Sequence, residues 1–257
     1  MANFHLEFEP ISRKQGRSPI KAATYQSREK LRDDYYGKTY STYSSDIILH
    51  TEIMLPSYAP PELSNRQTLW REVDRAERRS DARTARRVIG SLPNEREFTL
   101  ADYIEIVREY VTENFISMGM CADIAIHMSR NNEDFMRNNV YVHILLTDRP
   151  ISREGFADKK NRDWNDWRGN RLILIWRERW AEIQNMAYER KGLAHVKVYA
   201  KSYIDRGIFD RDPKIYLTRQ DMWLERKGIR TIKGDGRRAI EKRNQDRDRD
   251  SSRSRSR

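Results

Sequence analysis

Two apolar runs in the middle of the chain, Ile124 to Ile126 and Val140 to Leu146, are rich in β-branched and aromatic residues. A polar, Asn-rich segment from Ser129 to Asn139 separates them, which predicts a β-hairpin with a long loop. The N-terminus alternates: Phe4, Leu6 and Phe8 on one side, His5, Glu7 and Glu9 on the other, as in a half-buried strand over Asn3 to Glu9. Asp46 to Leu55 predicts a further strand, ended by Pro56, with His50 and Glu52 on one face. Val88 to Leu92 predicts a short one, halted by Pro93.

Helical spacing alternates with these strands. Ser18 and Pro19 form a start signal for a helix over Ile20 to Leu31. Leu69, Trp70, Val73 and Ala76 give the apolar side of a helix over Asn65 to Asp81. Another begins at Thr99, carries Tyr103, Val107 and Val111, and ends near Gly119. Arg171 to Lys191 predicts an amphipathic helix stopped by Gly192, and Ile215 to Asp235 holds one ending at Gly228. A loop or loose hairpin around Gly37 is expected at Asp33 to Ser45, and a long polar loop at Ile151 to Asn170. From Arg237 the chain is rich in Arg, Asp and Ser and is expected to be disordered. The domains read as 1–235 and a basic tail, 236–257.

Composition narrows the partner class. Fifty Lys and Arg against 39 Asp and Glu give a formal net charge of +11 in 257 residues. That balance fits a polyanion, nucleic acid first. The single cysteine, Cys121, excludes a disulfide framework within the chain and suits a reducing cytoplasm. No run approaches the roughly 20 apolar residues that span a bilayer, so no membrane insertion is expected. Glu7 and Glu9 interrupt any signal-peptide core at the N-terminus.

Candidate chemistry follows from these placements. His127 closes the first hairpin strand, while Tyr141 and His143 stand two residues apart in the second and share a face. Two strand histidines so placed can bind a metal or be ordinary half-buried side chains. The loop from Ile11 to Pro19 carries Arg13, Lys14 and Arg17, a set that suits backbone phosphates or a solvated turn. Tyr25, near Arg28 on the first helix, can be core, surface or nucleophile; a phenol attacks phosphodiesters when a cation withdraws charge from the phosphate. The basic stretch Arg75 to Arg87 fits a DNA-facing groove or a solvated face. The WNDW stretch, Trp164 to Trp167, fits a platform for bases or a loop pinned by aromatics.

Taken in order, several segments resemble the MobA/MobL family of plasmid mobilisation relaxases. They are ISRKQGRSPIKAATYQSREKL (Ile11 to Leu31), HTEIMLP (His50 to Pro56), LWREVDRAERR (Leu69 to Arg79) and YVTENFISMGMCADIAIH (Tyr110 to His127), followed by HILLTDRP (His143 to Pro150), SYIDRGI (Ser202 to Ile208) and LERKGIRT (Leu224 to Thr231). The resemblance implies an α/β fold, a two-layer sandwich whose central antiparallel sheet is flanked by helices. It implies a nick in one strand at an origin of transfer, made by a tyrosine that stays linked to the 5′ end. Tyr25 matches that nucleophile. His127 and His143 match two of three histidines that hold a divalent metal, Mg or Mn. Arg13, Lys14, Arg17 and Arg28 would position the DNA backbone.

The chain departs from the family pattern at Tyr141, where a His-X-His pair is usual, and at Ile89, where Glu is frequent. Ala200 and Tyr216 also stand at family histidine positions. A phenol is a poor metal ligand near neutrality, since its unperturbed pKa is about 10.

Two functions therefore remain in view: an active cytoplasmic relaxase, or a degenerate one that binds DNA without efficient cleavage. A third reading is a basic nucleic-acid-associated protein acting through its tail. The expected partners are single-stranded or origin-of-transfer DNA, relaxosome accessory proteins and a type IV coupling protein. No fused helicase or primase is expected.

Overall fold

The computed structural model describes residues 4–129, 139–164, 167–213, 215 and 217–255. The chain divides into two compact units, Met1–Ala200 and Lys201–Arg257.

The first unit is built on five antiparallel strands: β1 (Leu6–Ser12), β4 (Ile47–Met54), β5 (Arg83–Ser91), β6 (Ala122–Met128) and β7 (Val140–Thr147). They lie in the order β1-β5-β7-β6-β4, so the predicted hairpin β6–β7 is central. Its loop, 130–138, lies outside the described residues. Two short hairpins complete the strands: β2 (Leu31–Asp33) with β3 (Lys38–Tyr40), and β8 (Ile151–Ser152) with β9 (Gly155–Phe156).

Alternation assigns the two faces of the sheet. Val88, Ile124, Ile126, Val142, Ile144 and Leu146 point to one side, against α3 (Leu100–Asn114) and α4 (Trp167–Arg190). Ala85 and Leu145 point to the other, against α1 (Pro19–Ser27) and α2 (Arg66–Ala76). The sheet is therefore flanked by helices, with α1 and α2 on one face and α3 and α4 on the other. Gly90 is fixed by this packing, because a Cβ there would meet Leu6 Cδ1 and Trp180 Cζ2 at 3.0 Å.

Several elements differ from their expected bounds. β5 begins at Arg83 because Arg86 is buried: it donates to the Trp164 carbonyl at 3.0 Å and faces Asp148 at 3.9 Å. α2 stops at Ala76 because Glu77 turns inward to meet Arg149 at 2.8 Å and Lys160 at 3.0 Å. Trp164 is core, packed on Phe115 and Trp176, rather than a platform for bases. The rest of that platform, 165–166, lies outside the described residues.

In the second unit, α5 (Arg219–Arg226) is followed by α6 (Ile232–Arg255), so the stretch expected to be disordered is helical. Charge pairs at helical spacing support its first turns, such as Arg237 with Glu241 at 3.0 Å. Among the described residues, no helix is long and apolar enough to cross a membrane.

Candidate active site

α1 is held over the central strands by its own ends. Ser18 caps it, accepting from the Lys21 N–H at 3.1 Å, and Pro19 opens it. At the far end Gln26 donates from Nε2 to the Asp123 carbonyl at 2.9 Å, and the Gln26 carbonyl meets His127 Nε2 at 2.7 Å. α2 is tied to the same strand through Asp123, which is fully buried and accepts from Arg66 Nε at 2.9 Å and Trp70 Nε1 at 2.8 Å.

Under the end of α1 lie the odd-numbered residues of β6 and β7. The register puts His127 opposite Tyr141, and His143 opposite Ala125 and Ile89. The two imidazoles meet diagonally, with ring centroids 4.9 Å apart. Tyr141 lies 5.5 Å from His127 and 5.3 Å from His143. The Tyr25 ring meets His143 edge-on at 5.7 Å and is 39% exposed. The Arg28 guanidinium carbon lies 5.6 Å from the Tyr25 ring centroid. Tyr25, Arg28, His127 and His143 thus converge from three separate segments.

The electrostatics of the site are those of neutral imidazoles beside a fixed cation. Burial pushes the proton affinity of His143 down to a pKa of about 3, reinforced by His127, Arg87 and Arg28. Burial also lowers that of His127, against the Gln26 carbonyl. A carbonyl only accepts, so His127 Nε2 carries the proton and Nδ1 holds a lone pair. His127 Nδ1 and both His143 nitrogens are buried, without hydrogen-bond partners among the described residues. Tyr141 donates to Asp46 Oδ2 at 2.6 Å, and burial together with that carboxylate holds its phenol well above the usual range.

This donor set meets the expected metal partway. His127 and His143 offer free ring nitrogens. Among the described residues no group of three or more His, Cys, Asp or Glu comes together to complete a metal centre. Ile89, across the ladder from His143, adds an apolar wall. Tyr216 lies outside the described residues, and His50 faces away, 3.3 Å from Glu52, which Arg108 of α3 binds.

The basic loop separates into distinct roles. Arg13 is buried, paired with Asp74 at 2.6 Å and bonded to the Asp74 and Arg79 carbonyls, with its guanidinium over the Tyr35 ring. Its two terminal nitrogens are committed to the fold. Lys14 is exposed. Arg17 is half-buried and pairs with Glu9, which also holds Arg87. The sequence reading missed Asp46 and Arg87; the only trace of them is a charge at a strand start and one inside the TARRV run.

The sequence model of the MobA/MobL family matches residues 17–227. A conjugal transfer protein TraA of Agrobacterium fabrum is 29% identical over 244 residues, covering 84% of this chain and 21% of that protein. A probable mobilization protein MobA of Bifidobacterium longum is 31% identical over 179 residues, covering 68% of this chain and 30% of the relative. The chain thus spans less than a third of these two relatives. A solved structure described as "Molecular Basis of Vancomycin Resistance Transfer in Staphylococcus aureus" aligns with a TM-score of 0.65 at 29% identity, covering 79% of this chain and all of that one.

Proposed function

The chain belongs to the MobA/MobL family, and on that premise we propose that it is a relaxase that nicks one strand of origin-of-transfer DNA through Tyr25. The observation that carries this reading is the convergence of Tyr25, Arg28, His127 and His143 at the end of α1, with the tyrosine at the exposed rim. Three kinds of group needed for phosphodiester transfer, a nucleophile, a cation and unprotonated ring nitrogens, stand within one site.

The Tyr25 oxygen bonds to phosphorus as the bond to the 3′ oxygen breaks. The phenol proton leaves to solvent, which Tyr25 reaches, and the 3′ oxygen takes one up. The product is a tyrosine ester on the 5′ phosphate, which keeps the strand available for rejoining. A divalent ion, Mg or Mn, would be held by His127 and His143 and, when bound, withdraws charge from the phosphate. The imidazoles stand ready for that role because burial keeps them neutral. Lys14 and Arg17 lie on the loop before α1 and serve the flanking backbone. Accessory proteins of the transfer complex and a type IV coupling protein are its protein partners in this reading.

The test is incubation with labelled single-stranded oligonucleotides from the origin region, with Mn or Mg, followed by a denaturing gel. A covalent adduct is expected. Native-gel retention without any adduct would instead assign a protein that binds this DNA and does not cut it.

A further inference from the structure

We propose that Arg28 is a catalytic residue of this site: its guanidinium takes a non-bridging oxygen of the phosphate that Tyr25 attacks, and it is kept where glycine would serve the fold better. The inference rests on the relaxase reading for the reaction, and on geometry alone for the anion site.

The backbone supplies the first observation. Arg28 follows the last residue of α1 and closes it, its N–H donating to the Thr24 carbonyl at 2.9 Å. It does so at φ 64° and ψ 6°, the left-handed conformation in which glycine is the ordinary helix terminator. Among the described residues, the other seven positions of positive φ are all glycine. Arg28 alone carries a side chain there. Strain of this kind persists where the side chain has a use.

The side chain supplies the second. Nη1 and Nη2 of Arg28 are buried and have no hydrogen-bond partner among the described residues. A buried guanidinium ordinarily meets a carboxylate, because an unpaired cation away from water is costly. The acidic groups nearby are engaged: Glu29 binds Arg66, and Asp46 accepts from Tyr141. The groups that do surround the site, Tyr25, His127 and His143, are neutral or accept weakly. The arrangement is a cation waiting for an anion, and its fork of N–H groups matches two oxygens of a phosphodiester.

In the reaction, the Tyr25 oxygen forms its bond to phosphorus while the bond to the 3′ oxygen breaks. Charge gathers on the non-bridging oxygens as this happens. Arg28 neutralises that charge without itself gaining or losing a proton. With two imidazoles as the metal donors among the described residues, a resident cation on the chain takes a larger share of this work.

The test compares wild type with Arg28→Gly and Arg28→Lys in three measurements: thermal melting with and without inorganic phosphate, retention of the origin oligonucleotide, and the rate of adduct formation. Arg28→Gly is expected to melt no lower than wild type and to lose the phosphate-induced rise in melting temperature. Its adduct rate should fall by about a hundredfold, the scale of removing one electrostatic contact to the reacting group. Oligonucleotide retention should weaken by less than about tenfold, and Arg28→Lys should recover part of the rate. An adduct rate in Arg28→Gly within about threefold of wild type would overturn the proposal. So would an equal phosphate response in wild type and the glycine variant. If wild type itself forms no adduct, the relaxase reading falls, and the phosphate response still decides the anion site.

Discussion

Tyr141 donates to Asp46 at 2.6 Å while its ring packs edge-on against both His127 and His143. Burial, reinforced by the carboxylate, holds the phenol in its protonated form, so this position contributes no anionic oxygen to a cation. An imidazole there would stand on the same face as the other two. Tyr141→His is therefore expected to raise affinity for Mn by at least about tenfold, ~1.4 kcal/mol. Calorimetric titration of the DNA-free protein measures it. Unchanged affinity in a folded variant would show that residue 141 does not reach the ion.

Tyr25 sits at the rim and contributes little to the core, being 39% exposed. Tyr25→Phe keeps the edge-on ring contact with His143 and removes only the hydroxyl. It should leave melting temperature and oligonucleotide retention unchanged and abolish the adduct. An undiminished adduct would move the nucleophile to another residue.

His143 gives the site an acid liability. Its folded pKa of about 3 lies below the unfolded value of about 6.5. Above the unfolded value both states are neutral and nothing is lost. As pH falls through the window from about 6.5 to about 3, the unfolded chain takes up a proton that the native site refuses, and stability drops by up to ~1.4 kcal/mol per pH unit. Urea unfolding in EDTA from neutral to mildly acid pH should show a shallower decline for His143→Gln than for wild type. Parallel declines would mean that His143 titrates normally in the fold.

Asp123 joins β6 to α2 through Arg66 and Trp70, with no exposure of its own. Removing it leaves the buried Arg66 Nε and the Trp70 indole N–H without their acceptor, and the guanidinium with Glu29 as its remaining partner. Asp123→Ala is expected to cost about 3–5 kcal/mol. The substitution leaves Tyr25, Arg28, His127 and His143 in place, so a folded remnant at low temperature should still form the adduct. A loss below about 1 kcal/mol in urea unfolding would contradict the assignment.

The central hairpin was legible because its two apolar runs are long and β-branched, and the caps of α1 and α3 because Ser18 and Thr99 stand directly before helical spacing. Tyr25, His127 and His143 were legible only through the family pattern; nothing in periodicity separates them from core residues. What stayed hidden were polar residues with buried partners. Arg86 disguised the first half of β5 as a basic run, and Glu77 ended α2 through ion pairs with Arg149 and Lys160, more than 70 positions away. Such long-range pairs leave no local signal. The left-handed turn at Arg28 hid for the same reason, since arginine is no marker for it.

Arg13 and Lys14 are neighbours that the sequence grouped together and the structure separates. Arg13 is buried against Asp74, whereas Lys14 is exposed. Arg13→Ala should therefore act on the fold, costing about 3 kcal/mol by leaving Asp74 and backbone carbonyls without their donor. The salt dependence of DNA binding in the surviving folded protein should be unaltered. Lys14→Ala should do the reverse: unfolding within about 0.5 kcal/mol of wild type, and a salt slope for single-stranded DNA reduced by roughly 0.7, the signature of one lost phosphate contact. Filter binding across a salt series beside urea unfolding separates the two effects. If Arg13→Ala flattened the salt slope without lowering stability, its side chain would have to leave the Asp74 pocket when DNA arrives, and the division of roles drawn from this loop would be reversed.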